Sequence, residues 1–409
     1  MCAIPLPSYT DFFHLLKIAQ DEVKKLTRKQ QEKRLYGALG NYDNPLLTKF
    51  LRWKYSDYDM LQRGDNIYPT VIFKAPVQQQ LDLESVLFKP LAQPCKEPKQ
   101  FVTTDCYFRV LVKALGLPLY DAPNYAMASL IHKGKLQLTC ELGYYYYTLD
   151  TCFSLLWEIL SKLNKIRGDT DDDFKRFDKE LELRTGLHRV CRDPIVTGTG
   201  RSAAIGISTL VAYNDGLGFK LWLKTRSTSG VAVYPGLVNV LPSGMFEPAV
   251  GKLDEEFSVR HNVFREYLEE VFDIPEAKGE EAYDYFYNNP RLEFLCKFLG
   301  LGFAQLFLTG VAVDLLSLRP EICTLLLIRT PEWYSYHAKA PVEQGRFSLS
   351  SEFFKRHPPE TVRETLLTTI PFSKKDSELL RYECLSASKM TPSGAGVFWL
   401  GVDTLKKVL

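Results

Sequence analysis

Between residues 204 and 224 the chain spells out a β-hairpin. Ala204–Tyr213 is a long apolar run, Asn214-Asp215-Gly216 is a turn signal, and Phe219–Lys224 alternates with Phe219, Leu221 and Leu223 on one face. Val231–Leu241 reads as a further strand. Phe307–Leu316 and Ile322–Arg329 read as two more, joined by a turn containing Pro320. Short helices are predicted near 350–382 and a last strand at Val397–Gly401. Residues 195–409 are therefore expected to form an α+β domain, a mixed sheet with helices on its faces.

The first half is a different mixture. Residues 8–35 carry a helical pattern, with Phe12, Leu15, Leu16, Ala19, Val23 and Leu26 on one side. The stretch 40–45 breaks it. Pro69–Lys74 and Leu136–Leu142 read as strands, and Thr151–Ile166 as an apolar helix. Residues 1–165 are thus expected to form a separate mixed α/β domain. Residues 166–194 are dominated by charge and read as a linker or exposed helix.

Charge narrows the choice of partners. With 51 Lys+Arg against 49 Asp+Glu the net charge is only +2, so no global basic field draws the chain to nucleic acid or anionic lipid. The most apolar run, Phe298–Val313, is shorter than the roughly 20 residues of a spanning helix. The N-terminus lacks the basic and long apolar regions of a secretory signal. The 9 cysteines show no CxxC spacing, which suits a reducing compartment. A cytoplasmic protein is expected, with no membrane contact.

Function concentrates in one helix. Ser258 can cap it, and Val259, Val263, Phe264, Tyr267, Leu268 and Val271 form an apolar stripe. Glu266, Glu269 and Glu270 fall at i, i+3 and i+4, on an arc roughly opposite the stripe's centre. Clustered carboxylates repel unless a cation neutralises them. Hard cations such as Mg²⁺ take oxygen ligands and share them with phosphates. Arg265 can steady a neighbouring carboxylate through a bidentate pair.

The segment Pro242-Ser243-Gly244 … Arg265-Glu266-Tyr267-Leu268-Glu269-Glu270-Val271-Phe272 resembles the Nudix box. That signature is Gly, five residues, Glu, seven residues, then Arg-Glu-apolar-x-Glu-Glu-x-Gly-apolar. The match is full across Arg265–Glu270. The resemblance implies a Nudix-like α/β/α sandwich and hydrolysis of a nucleoside diphosphate linked to another moiety, with Mg²⁺ or Mn²⁺. It makes Glu266, Glu269 and Glu270 metal ligands and Arg265 the residue that orients a helix carboxylate. Gly244 takes the place of the family's turn glycine and Glu256, or Glu255, that of its upstream Glu. The loop to Arg265 is then longer than usual. Two positions depart: Phe272 and Asp273 stand where the family has Gly and an apolar residue. In the gapless frame Gly251 takes the glycine position and Phe257 that of the upstream Glu. The general base lies outside the box in many members, and Glu321, Glu343 and Glu352 are candidates. The alternative is an inactive Nudix-fold module that senses a nucleotide. A homo-oligomer is compatible with either.

Other signals are weaker. Asp169, Asp171, Asp173 and Glu180 match part of a calcium loop, but its turn glycine is Phe174, so these acids are expected to charge a helix start. Gly198-Thr199-Gly200-Arg201-Ser202 precedes a strand, the wrong context for a phosphate loop, and Arg201 reads as a surface residue. His261 lies off the carboxylate arc and reads as structural. Tyr144–Tyr147 reads as strand packing.

Overall fold

In the computed structural model, residues 9–88, 105–117, 119–226, 232–272, 274, 286–335 and 367–409 are described. The chain is mixed α+β. Its strands are β1 (Met60–Arg63), β2 (Asn66–Lys74), β3 (Leu87–Phe88), β4 (Pro123–Ile131), β5 (Gln137–Tyr144), β6 (Gly206–Asn214), β7 (Phe219–Thr225), β8 (Val238–Val240), β9 (Ser243–Met245), β10 (Ala304–Asp314), β11 (Pro320–Ile328) and β12 (Leu367–Pro371). The main sheet runs β1-β2-β10-β11-β6-β7-β12, with β8 on β7 and β9 on β6. It is mixed, because β11 pairs parallel to β6 and the other ladders are antiparallel. β3, β5 and β4 form a smaller sheet.

Side-chain alternation divides the main sheet between two cores. Ile207, Val211, Tyr213, Trp222, Ile322 and Leu326 face the larger one, with the carboxylate helix α8 (Val259–Glu266) and the N-terminal helices. Leu210, Ala212, Leu221, Leu223, Cys323, Leu325 and Leu327 face the other, under the C-terminal helix α10 (Pro392–Val408). The other helices, in chain order, are α1 (Tyr9–Lys24), α2 (Arg28–Leu39), α3 (Pro45–Lys54), α4 (Tyr107–Ala114), α5 (Ser154–Lys162), α6 (Asp171–Glu180) and α7 (Glu182–Val190) before α8, and α9 (Pro290–Gly300) after it.

The expected boundary between 1–165 and 195–409 does not divide the sheet. β2 pairs with β10 from Lys74↔Gly310 to Thr70↔Asp314, so strands from the first half complete the sheet of the second. Residues 166–194 are not an open linker. Thr170 and Asp173 close a capping box on α6, and Phe174, Phe177, Arg184 and Leu187 are buried. The single helix predicted over 8–35 is two, because Thr27 caps α2 with its own capping box. Val397–Gly401 is not a strand but the middle of α10, where Pro392 at the first turn and the Thr391 cap start a helix buried nearly all round. Among the described residues of the strand predicted at Val231–Leu241, which begin at 232, only β8 forms, and Pro320 opens β11 instead of sitting in the turn. Arg201 is buried, donating to Pro194 O and Leu318 O. The part of the predicted 350–382 helices before residue 367 lies outside the described residues. No helix among the described residues is long and apolar enough to cross a membrane.

Candidate functional site

The carboxylate helix is fixed at its entry from two sides. Ser258 Oγ accepts from His261 N at 3.1 Å. Glu84, from the first half of the chain, accepts from Val259 N and Arg260 N at 2.9 and 3.1 Å. A carboxylate at the positive end of a helix is stabilising. His261 is buried, its Nδ1 lying 2.9 Å from Tyr287 Oη, a structural role. Beyond Glu266 the helix continues as a π turn, Tyr267–Val271. That wider turn takes Glu269 and Glu270 off the ideal α-helical spacing to Glu266.

The arc predicted to lie away from the core is itself covered, because β9 runs along it. Glu266 and Arg265 are each only 6 % exposed. A Cβ on Gly244 would stand 1.9 Å from the Glu266 carboxylate, so any larger residue there must displace that side chain. Ser243 N donates to Glu270 Oε2 at 2.6 Å, and Lys224 Nζ pairs with Glu270 Oε1. Arg265 Nη2 lies 2.7 Å from Glu266 Oε1 and donates to Met245 O at 2.7 Å, tying helix to strand. Its Nη1 is 4.0 Å from Glu269.

Of the two upstream acids, Glu255 is exposed and Glu256 is fully buried. Glu256 accepts from Val250 N at 3.1 Å and Lys252 N at 2.9 Å, and so folds the preceding loop. Phe257 packs on Tyr125, 4.9 Å between ring centroids, joining the two halves of the chain. Phe272 has φ −118°, a conformation that needs no glycine.

A cavity of about 360 Å³ opens beside this turn, lined in part by Ser243, Gly244, Glu270, Glu321, Arg226 and Arg319, with Tyr145 and Phe153 from the first half. Glu321 is the second residue of β11 and accepts from Ser208 Oγ at 2.5 Å. Burial pushes its pKa up to about 7, against the pull of the Ser208 hydrogen bond and of Arg319 and Arg226. Asp314, at the end of β10, accepts from Tyr234 Oη at 2.7 Å and Leu316 N at 2.8 Å, and burial raises its pKa too. Among the candidate bases, Glu321 lines the cavity, whereas Glu343 and Glu352 lie outside the described residues.

Sequence reasoning missed Arg226, Asp314, Tyr145 and Arg319 as cavity residues. Asp314 carried one signal, a lone acid closing an apolar strand. Among the described residues no group of three or more His, Cys, Asp or Glu is assembled to hold a metal ion. Lys224 and Arg265 instead neutralise Glu270 and Glu266. The donor chemistry of Glu266, Glu269 and Glu270, all carboxylate oxygen, is nonetheless that of a hard divalent cation. No protein-family profile matches this chain, and no curated protein matches it.

Proposed function

We propose that this chain is a Mg²⁺- or Mn²⁺-dependent pyrophosphohydrolase with a Nudix-like domain in 195–409, cleaving a nucleoside diphosphate linked to another moiety. One observation carries the reading. The Pro242-Ser243-Gly244 segment sits so close on the carboxylate helix that the Glu266 carboxylate fills the space of a Gly244 Cβ, and Ser243 N holds Glu270 at the cavity wall. Glu266, Glu269 and Glu270 would hold the cation, with Lys224 giving up Glu270. Bound metal lowers the pKa of water and offsets charge on the leaving phosphate. Glu321, with a pKa raised to about 7, suits proton acceptance from water near neutrality. Arg226 and Arg319 face the same space and can meet phosphate oxygens. Tyr145 and Phe153 supply aromatic surface to the same cavity.

The Lys224–Glu270 ion pair favours a second reading, a module that binds a nucleotide without turnover, since a lysine already satisfies a carboxylate that metal would need. A hydrolysis screen of nucleoside diphosphate derivatives with Mg²⁺ or Mn²⁺ separates the two. The expected result is turnover by the native protein and a loss of about 100-fold or more in Glu269→Gln and Glu270→Gln, the scale of a metal-activated water. Turnover that survives both substitutions, or nucleotide binding with no turnover, rejects the hydrolase.

A further inference from the structure

Arg226 stands just beyond β7, its amide donating to Leu237 O at 2.9 Å. Its side chain lines the cavity, and its Nε is buried with no hydrogen-bond partner. It forms no ion pair within 4.0 Å with a described residue. Glu270, the strongest acidic influence on it, is already paired with Lys224. Arginine does not discharge in a protein, so a half-buried cation faces the cavity here with no described ion-pair partner within 4.0 Å, under the more distant influence of Glu270 and Glu321.

One strand away, the N-terminus of the 17-residue helix α10 reaches the same cavity. Thr225 pairs with Val238, and Val238 bridges Met390, which puts β8 alone between Arg226 and the start of α10. Thr391 caps the helix, its Oγ1 accepting from Gly394 N at 3.1 Å. Pro392 has no N–H. Ser393 lines the cavity, and its amide has no acceptor among the described residues. A Cβ on Gly394 would meet Asn239 Oδ1 at 2.3 Å, so a close-packed first turn is built into this wall. Helix N-termini attract anions through such free amides.

Backbone strain gathers at the same place. Among the described residues the non-glycine positions with positive φ are Tyr234, at 53°, and Leu318, at 58°. Tyr234 lines the cavity, and Leu318 stands between Ser317 and Arg319, which also line it. Such conformations cluster at ligand sites.

We propose that Arg226 and the first turn of α10 at Ser393 form an oxyanion subsite that holds a phosphoryl group of the ligand. This rests on the cavity being the ligand site of the proposed function, but it requires neither metal nor turnover. Arg226 supplies the charge and two or more N–H donors. Ser393 supplies an amide, a hydroxyl and the helix field. The subsite thus gives a role to an arginine whose Nε bonds to no described residue, a role the carboxylate helix alone does not supply.

The test is calorimetric titration of the full chain with inorganic pyrophosphate in the presence of EDTA. Native protein is expected to bind. Arg226→Gln is expected to weaken binding about 10- to 100-fold, as for a lost charge-assisted contact, and Ser393→Ala about 3- to 10-fold. Melting without ligand should change little in Arg226→Gln, because the side chain gives up no hydrogen bond or close ion pair to a described residue. Should that variant fail to fold, Arg226→Lys keeps the charge without the planar fork and is expected to bind several-fold more weakly. Unchanged affinity in the folded variants, or no binding by native protein, overturns the subsite. Hydrolysis by a native protein whose affinity ignores Arg226 would leave the proposed function standing without the subsite. Arg226-dependent binding with no hydrolysis would do the reverse.

Discussion

Single residues carry the sharpest consequences. Gly244 has the Glu266 carboxylate where a Cβ would go, and Arg265 locks that carboxylate in place. Gly244→Ala must displace the Glu266 carboxylate from its Arg265 pair, and is expected to cost about 1–3 kcal/mol, the range for overpacking. Urea denaturation measures it, and a variant as stable as the native chain contradicts the close seat. Asp150 is buried, 3.2 Å from Arg109 Nε, and burial pushes its pKa from 3.8 up to about 7. The native state therefore holds a proton between those values that the unfolded chain has released. Its contribution to stability is full below about pH 4 and is lost as pH rises to about 7. Asp150→Asn should flatten stability against pH across that window, and an unchanged slope would refute the assignment. Glu321 has the same direction of shift. If it is the base, the rising limb of the pH–rate profile should lie near 7 and vanish in Glu321→Gln.

Among elements, α10 shows how local pattern and packing part company. Val397-Phe398-Trp399-Leu400-Gly401 has the composition of a strand, yet lies inside a helix that covers one face of the sheet. A helix buried on all sides loses the periodicity that identifies it. Its glycines let it approach closely: a Cβ on Gly396 would stand 2.5 Å from the Ala312 Cβ on β10. Alanine normally gains about 0.5–1 kcal/mol over glycine within a helix. Here a rigid Cβ on a central strand blocks it, so Gly396→Ala should be net destabilising by about 1–2 kcal/mol. A rise in melting temperature would overturn that packing. The carboxylate helix differs in the other sense. Its cap, its apolar stripe and its acidic positions were all legible, but the π turn and the strand lying over its acidic face were not.

At the scale of the molecule, the two halves are one folding problem. β2 gives β10 its outer partner, Glu84 caps the carboxylate helix, and Tyr145 and Phe153 line the cavity. Residues 195–409 made alone would expose the β10 edge and part of the larger core, a surface prone to association. They are expected to aggregate or to melt without cooperativity, while the full chain unfolds in one transition. A monodisperse, cooperatively melting fragment would reverse this view.

By itself the sequence determined the hairpin at 204–224, the pair of strands read at 307–316 and 322–329, the helix carrying Glu266, Glu269 and Glu270, and the near-neutral charge. Each is written in local periodicity, caps and turn residues, which act over a few positions. Only the tertiary structure decided that the first half supplies two strands to the same sheet. It alone decided that Gly244 presses on Glu266, and that Arg226, Glu321 and the start of α10 meet at one cavity. Those juxtapositions join residues far apart in the chain through burial and strand register, quantities that no local pattern encodes.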